Sequence, residues 1–314
     1  MGRYSISLSP QQPVEIEPAE VEESKQFLDF AEERREEPRV YEGHRPEEGL
    51  NLVFVDGVRR TECLAYIKDE ETGESSEGAF VSLGAGALRV EYGKLNLVKE
   101  SLVLSTVERI MAFKGNYLLQ NILNFKAFPV SVELSVEVNR YMRDELEANI
   151  ALQAFKKFPK DLIICDGTLS YKLKNTPALG FVKSIKRLYF DKKYLNLLYS
   201  LKPGQRSPII KVHYQQKQEE KERVDKFTWY VKLSNHEGLH GIARVEVFPQ
   251  KDFEEVKRLA DLSAGLLPLF ASTSFQDRRS PQNLLPIGRL EKFLRSHLGA
   301  YGIIRRQIES SLYA

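Results

Sequence analysis

Two short motifs in the chain end an apolar run with aspartate and glycine. They occupy residues 52–57 and residues 162–167. An apolar run of this length is typical of a strand buried on both faces, so we expect Asp56 and Asp166 to lie where two core strands leave one sheet. Carboxylates delivered to one rim of a sheet can hold divalent cations for hydrolysis. A strand-ending turn without catalytic function is the alternative interpretation of each motif.

A hard cation such as Mn²⁺ or Mg²⁺ needs further oxygen ligands, and the segment before the second motif supplies acidic candidates. These are Asp144, Glu145 and Glu147. The helical spacing of the segment places Glu147 near the edge of the buried face, from which its carboxylate could reach the sheet rim. An ordinary acidic helix surface is the alternative interpretation.

Basic residues follow both motifs, and cations of this kind can hold phosphate groups and offset developing charge. Lys183 is the first charged residue after an apolar stretch, which favours a side chain that either points into the site or reaches solvent along apolar surface. Functionless surface lysines are the alternative for the whole set. The set comprises Arg59 and Arg60 after the first motif, and Lys172, Lys174, Lys183, Lys186 and Arg187 after the second.

The composition is that of a globular protein, with 42% hydrophobic and 29% charged residues among 314. The 46 basic and 44 acidic residues nearly cancel, so any nucleic-acid surface must be a local patch. Two cysteines in or beside apolar runs, Cys63 and Cys165, build neither a disulfide framework nor a zinc cluster. The sequence contains no membrane-spanning run and no apolar signal region, so we expect a cytoplasmic protein without membrane partners.

The elements that must position these residues follow from the apolar spacing. Residues 1–48 are polar and acidic and are predicted to form an N-terminal arm with a helix over 19–37, followed by one domain over 49–314. A helix over 136–158, ended by Pro159, precedes the second motif, and a glycine-containing loop is expected at 179–181. The order of elements predicts an α/β fold with a mixed sheet between helices. Further strands are predicted at 52–55, 62–67, 78–83, 88–92, 207–214, 227–233 and 242–248, and further helices at 252–267 and 284–298.

Taken together, the motifs resemble the NurA nuclease family, whose members are partners of the HerA-type DNA-translocating ATPase. The resemblance spans residues 50–300. It is carried by residues 54–60, by 162–169 with the preceding Arg143 and Glu147, and by 180–183, 229–233, 241–247, 277–287 and 290–291. It implies an RNase H-like mixed central sheet flanked by helices and a Mn²⁺-dependent deoxyribonuclease, with Mg²⁺ as the alternative ion. It also implies 5′ to 3′ exonuclease and single-strand endonuclease activity, and a homodimer that docks on a hexameric ATPase in DNA end resection and double-strand break repair.

Carried over residue by residue, the resemblance implies that Asp56, Glu147 and Asp166 bind metal and that Lys183 assists catalysis. Arg59, Arg60, Lys183 and Lys186 are expected to bind nucleic acid. Archaeal members add a tyrosine and a histidine from the C-terminal helix region, and the corresponding residues 281–287 of this sequence include neither. Three alternatives stay open for the fourth ligand: Asn283, Glu291 or none. A catalytically inactive DNA-binding or assembly partner of the ATPase, and a nuclease that acts on RNA, are the alternative functions.

Overall fold

In the part of the chain that the structure describes, thirteen strands form one mixed sheet with helices on both faces, which confirms the predicted α/β class. The computed structural model describes residues 4–9, 29–30, 38–47, 49–92, 98–115, 119–183, 188–189, 194–215, 223–236, 238–250, 252–273, 275 and 280–313. No helix within these ranges is long and apolar enough to cross a membrane.

The strands and helices are as follows. The strands are β1 (Tyr4–Leu8), β2 (Asp29–Phe30), β3 (Tyr41–Glu42), β4 (Asn51–Asp69), β5 (Ser75–Tyr92), β6 (Val98–Lys114), β7 (Lys126–Val130), β8 (Leu162–Asp166), β9 (Ala178–Val182), β10 (Gln205–Arg206), β11 (Ile210–Gln215), β12 (Arg223–Lys232) and β13 (Ile242–Val247). The helices are α1 (Leu134–Tyr141), α2 (Ala148–Lys157), α3 (Leu195–Ser200), α4 (Phe253–Leu266), α5 (Leu285–His297) and α6 (Tyr301–Tyr313), and a π-helical turn (Met142–Glu147) joins α1 to α2.

The centre of the sheet has the RNase H-like arrangement. Strands β4, β5 and β6 form an antiparallel meander, β8 pairs parallel with the other edge of β4, and β9 pairs parallel with β8. The connection from the meander to β8 runs through α1 and α2, as a crossover between parallel strands requires. Strands β13, β12 and β11 then extend the sheet in antiparallel order. The carboxyl ends of β4's apolar run and of β8 therefore meet at one place.

Both faces of the central strands are buried, which explains why the motifs are continuously apolar. On β4, Leu52 and Phe54 pack with residues of α4 and with Ile287 of α5. Their neighbours Val53 and Val55 face the opposite layer, formed by α1, the π turn and α2. Because side chains alternate along a strand, Asp56 shares the face of Phe54, whereas Gly57 faces the α1–α2 layer.

Helix α5 packs directly against glycines of β5. A Cβ on Gly86 would lie 3.0 Å from Cδ2 of Leu294, and one on Gly84 would lie 3.2 Å from Cδ2 of Leu298. At the C-terminal end of α5, Arg60 donates to the carbonyl oxygen of Gly299 at 2.9 Å and Arg109 donates to that of Leu298 at 3.0 Å. These contacts fix the position of α5 along β4.

The structure corrects the prediction that Asp56 ends a strand. Strand β4 continues through Asp56 and Gly57 to Asp69, because Gly57 stays extended and pairs with Ala85 of β5. The predicted strands at 62–67, and at 78–83 and 88–92, are likewise parts of β4 and β5. What ends near Asp56 is the neighbouring strand, since the last β4–β8 pair is Val55 with Cys165.

A second correction concerns residues 179–181, which were predicted to form a loop. They belong to β9, where Gly180 pairs with Glu246 of β13. The helix over 136–158 and the strand that follows it are confirmed, except that six residues of the helix adopt the π form.

Parts of residues 1–48 join the sheet. Strand β1 pairs with the distal end of β4, and Asp29–Phe30 form a strand beside β11 instead of part of a helix. The remainder of the helix predicted over 19–37 lies outside the described residues. The division into an arm over 1–48 and a domain over 49–314 stays a prediction.

Candidate active site

Three carboxylates from three elements meet where β8 ends. Asp56 comes from the middle of β4, Asp166 is the last residue of β8, and Glu291 comes from α5. One oxygen of each carboxylate lies within 4.8 Å of the other two. Oxygens bound to one Mg²⁺ at about 2.1 Å lie at most about 4.2 Å apart, so small side-chain movements suffice to bring the three oxygens to a common ion.

Asp56 is the most deeply buried member of this carboxylate cluster, at 5% exposure. Its Oδ1 accepts a hydrogen bond from the Gly57 amide at 2.7 Å. Its Oδ2 is buried and has no hydrogen-bond partner among the described residues. Burial, and then the negative charge of Asp166, raise the pKa of Asp56 well above its ordinary value, and Lys183 opposes this shift. A buried carboxylate oxygen without a donor is unfavourable unless a proton or a cation neutralises the group.

Glu147 approaches the cluster from the opposite face of the sheet. The position that a Cβ of Gly57 would occupy lies 2.4 Å from Oε1 of Glu147. The missing side chain of Gly57 is therefore what admits the Glu147 carboxylate to β4. Burial, and then the charge of Asp166, raise the pKa of Glu147 from 4.5 to about 8.

Glu147 is also the last residue of the π-helical turn. A π turn inserts one residue into the helical repeat and so rotates the residues after it relative to those before it; such turns recur at functional sites. Leu146 stays in the core of the α1–α2 layer while Glu147 reaches the sheet. The sequence placed Glu147 near the edge of the buried face, but it did not reveal the π turn that sets its direction.

Lys183 supplies a positive charge within the cluster. Its Nζ lies 2.7 Å from Oδ2 of Asp166 and 3.8 Å from Oε1 of Glu291. The residue follows β9 directly, and β9 runs parallel to β8, so both side chains emerge at the same rim. The Lys183 side chain points toward the carboxylates, and its catalytic role stays a prediction.

The other basic candidates lie in different settings. Arg60 contacts both carboxylate oxygens of the buried Glu62 at 2.8–3.1 Å and also holds the end of α5. Arg59 is partly buried on β4, three residues after Asp56. Lys172 pairs with Glu145 at 2.6 Å. Lys186 lies outside the described residues, and the nucleic-acid role of Arg59, Arg60 and Lys186 stays a prediction.

Glu291 and Asn283 were open alternatives for a fourth ligand, and the structure brings Glu291 into the cluster. A signal in the sequence favours it, because Glu291 stands among positions that are apolar and buried on α5, namely Ile287, Leu290 and Leu294. Asn283 lies just before α5 and is buried. Its main-chain carbonyl oxygen accepts a hydrogen bond from the main-chain amide of Ser272 at 3.0 Å.

A family model for the NurA domain matches residues 11–287. The chain belongs to the NurA family. NurA proteins are nucleases associated with HerA-type ATPases, so the chain belongs to a family of phosphodiester hydrolases. The NurA match begins inside the segment that we assigned to the N-terminal arm and ends within α5, just before Glu291. No individual curated protein gives a significant match to the chain.

Proposed function

We propose that the protein is a divalent-metal-dependent deoxyribonuclease whose ion is held by Asp56, Asp166 and Glu291, with Glu147 beside them. The observation that carries this proposal is the buried Oδ2 of Asp56, which has no hydrogen-bond partner in the described part of the chain and which belongs to a cluster of three carboxylates. An acidic cluster on a protein surface needs no cation. The buried Oδ2 of Asp56 has no donor among the described residues, and a bound cation would supply the missing partner.

The donor set fits Mn²⁺ or Mg²⁺. Carboxylate oxygens are the ligands that these hard ions prefer, and the described residues of the cluster include no thiol or imidazole that would select zinc or copper. Such an ion, when bound, acidifies a water molecule for attack on phosphorus and stabilises the leaving oxygen.

The chain's own residues would bind the ion and orient the DNA strand. Asp56 lies within β4 and Asp166 ends the adjacent strand β8, so strand pairing brings the two carboxylates to the same place. Lys183 lies within ion-pair distance of Asp166 and can shift toward the phosphate oxygens of a bound strand, which would partly neutralise the substrate. Glu147, whose pKa is about 8, holds a proton at neutral pH until a cation replaces it.

The family supplies the wider setting of the proposal. We expect the protein to cleave DNA as a 5′ to 3′ exonuclease and as an endonuclease on single strands. We expect it to form a homodimer and to act with a HerA-type hexameric ATPase in DNA end resection and double-strand break repair. Arg59, Lys183 and Lys186 would bind the DNA phosphate backbone. The affinity for DNA is therefore expected to fall as the salt concentration rises.

The test is cleavage of labelled single-stranded DNA by the purified protein with Mn²⁺, with Mg²⁺ and with EDTA, and a matched RNA strand shows the sugar preference. We expect Mn²⁺-dependent cleavage of DNA that Asp56→Ala and Asp166→Ala abolish. Activity that survives either substitution would refute the site. Calorimetry with Mn²⁺ addresses the alternative, because an inactive assembly partner would release no heat that depends on these carboxylates.

A further inference from the structure

A second group of charged side chains is buried behind the loop that follows Asp166. It comprises Lys226 on β12 and Arg244 and Glu246 on β13, with exposures of 7%, 5% and 0%. We call this group the buried charge cluster. It lies on the face of the sheet that packs against α1 and α2, because Glu246 alternates with Val245 and Val247 of the opposite core.

The buried charge cluster is held together by short ion pairs. Nζ of Lys226 lies 2.7 Å from Oε1 of Glu246, and Nη1 of Arg244 lies 3.1 Å from Oε2. The two cations hold the pKa of Glu246 below its ordinary value even though burial acts in the opposite direction. Glu246 is therefore a charged acceptor at neutral pH, and its hydrogen bonds are of the strong, charge-assisted kind.

This cluster holds one residue of the loop by both of its main-chain polar groups. The amide of Leu169 donates to Oε1 of Glu246 at 2.8 Å, and Nζ of Lys226 donates to the carbonyl oxygen of Leu169 at 2.8 Å. Leu169 is three residues after Asp166. A buried loop must satisfy its main-chain groups, and here side chains do so where no strand is available.

The rest of the loop is held in the same region. Gly167, with a φ of +82°, donates its amide to the carbonyl oxygen of Phe181 at 2.8 Å. Ser170 hydrogen-bonds to Asp144 in the π turn that ends at Glu147. A Cβ on Gly180 would lie 2.9 Å from Cγ of Glu246 and 3.0 Å from the carbonyl oxygen of Gly167. Loop, strand and buried charge cluster are thus in close contact.

We infer that Lys226 and Glu246 are positioning residues of the nuclease, which hold the loop of residues 167–170 and thereby fix Asp166 for metal binding. The inference rests on the proposed function, because Asp166 is a ligand in that proposal. Stability alone does not explain the arrangement, since well-packed apolar residues commonly replace buried ion pairs without loss of stability. Directional bonds to one loop give the charges a function that apolar residues cannot supply.

The test compares Lys226→Met with a matched control elsewhere in the fold. Lys226→Met removes the donor to Leu169 and leaves Glu246 paired with Arg244. The control is Arg206→Met, which removes another buried cation, one that contacts Asp261 of α4 at 2.6 Å. Glu246→Gln serves as the second variant if Lys226→Met does not fold. Each protein is characterised by its melting temperature, by Mn²⁺ titration, by kcat and KM on single-stranded DNA, and by hydrogen exchange of the 166–170 segment.

We expect Lys226→Met to weaken Mn²⁺ binding and lower kcat by about tenfold, with little change in KM, because a released loop would no longer hold Asp166 in its ligating position. Exchange at residues 167–170 should become about tenfold faster. Arg206→Met should lower the melting temperature and leave Mn²⁺ affinity and exchange in this segment unchanged.

Two results would overturn the inference: unchanged exchange in the 166–170 segment of Lys226→Met, or faster exchange with unchanged Mn²⁺ affinity. A wild-type protein that binds no Mn²⁺ would instead overturn the proposed function. The exchange measurement needs no metal, so in that case it still decides whether the buried charge cluster holds the loop.

Discussion

The carboxylate of Glu147 fills the space that a side chain on Gly57 would occupy: a Cβ on the glycine would lie 2.4 Å from Oε1 of the glutamate. The two Asp-Gly motifs therefore contain glycine for different reasons. Gly57 leaves room for a carboxylate from the neighbouring layer while its strand continues, whereas Gly167 takes a φ of +82° and ends its strand. The shared motif reflects two separate physical requirements.

Gly57→Ala is expected to displace Glu147 without unfolding the protein, because the clash is with the flexible end of a side chain. Nuclease activity should fall by about 100-fold, as a displacement of about 1 Å in a catalytic site can produce. The measurement is kcat/KM on single-stranded DNA together with the melting temperature. Gly302→Ala in α6 serves as the control, with unchanged activity, because the added Cβ would come no nearer than 4.0 Å to the Arg306 side chain. Wild-type activity in Gly57→Ala would show that Glu147 does not need its present position.

Glu291→Gln is expected to weaken Mn²⁺ binding by at least about tenfold, because it removes one charged oxygen of the carboxylate cluster. Calorimetric titration measures this directly. Glu309→Gln, which alters a carboxylate of α6 that pairs with Arg305, should bind Mn²⁺ as the wild type does. If Glu291→Gln also binds normally while Asn283→Ala does not, the fourth ligand is Asn283.

The metal-free protein should lose stability as the pH rises because the pKa of Glu147 is raised by folding, from 4.5 to about 8. A carboxyl group whose pKa is raised by folding contributes most to the stability of the folded state below pH 4.5. This contribution to stability is lost as the pH rises toward 8. Glu147→Gln keeps the shape of the side chain and removes the titration. In EDTA, the melting temperature of the variant minus that of the wild type should therefore be higher at pH 8.5 than at pH 5, by on the order of 2–5 °C.

Melting temperatures at a series of pH values measure the difference between the two proteins, so that other titrating groups cancel. Saturating Mn²⁺ should reduce this difference at pH 8.5, because a bound cation compensates the charge of the wild-type carboxylate. A difference between variant and wild type that is constant across the pH range would contradict the raised pKa.

Arg60→Met should lower the free energy of unfolding by about 3–5 kcal/mol, since it leaves the carboxylate of Glu62 buried and unpaired. Glu62 has no exposed surface, and Arg60 also donates to the Gly299 carbonyl oxygen at the end of α5. Urea unfolding measures the loss, and the double variant Arg60→Met/Glu62→Gln should recover part of it. A role of Arg60 in DNA binding predicts the opposite pattern: unchanged stability, and a slope of log affinity against log salt that is smaller by about one.

Elements that depend on local spacing could be predicted from the residues alone. The helix before Pro159 and the buried strand Leu162–Asp166 appear where the pattern predicted them. Local periodicity reports which face of an element is buried, and a residue next to that face, such as Glu147, can be proposed from it. Both aspartates could also be proposed as site residues from the sequence, because a charged residue at the end of an apolar run is a local signal.

Which of these residues meet became clear from the folded chain alone. Strand β4 continues past Asp56 because β5 pairs with it over its whole length, and that pairing partner is not visible in the residues of β4. Glu291 joins the carboxylate cluster because glycines on β5 admit α5 and arginines on β4 and β6 hold its end. The hydrogen bonds of Lys226 and Glu246 to the main chain of Leu169 likewise join three separate segments. Contacts between distant segments depend on strand register and helix packing, which local periodicity does not specify.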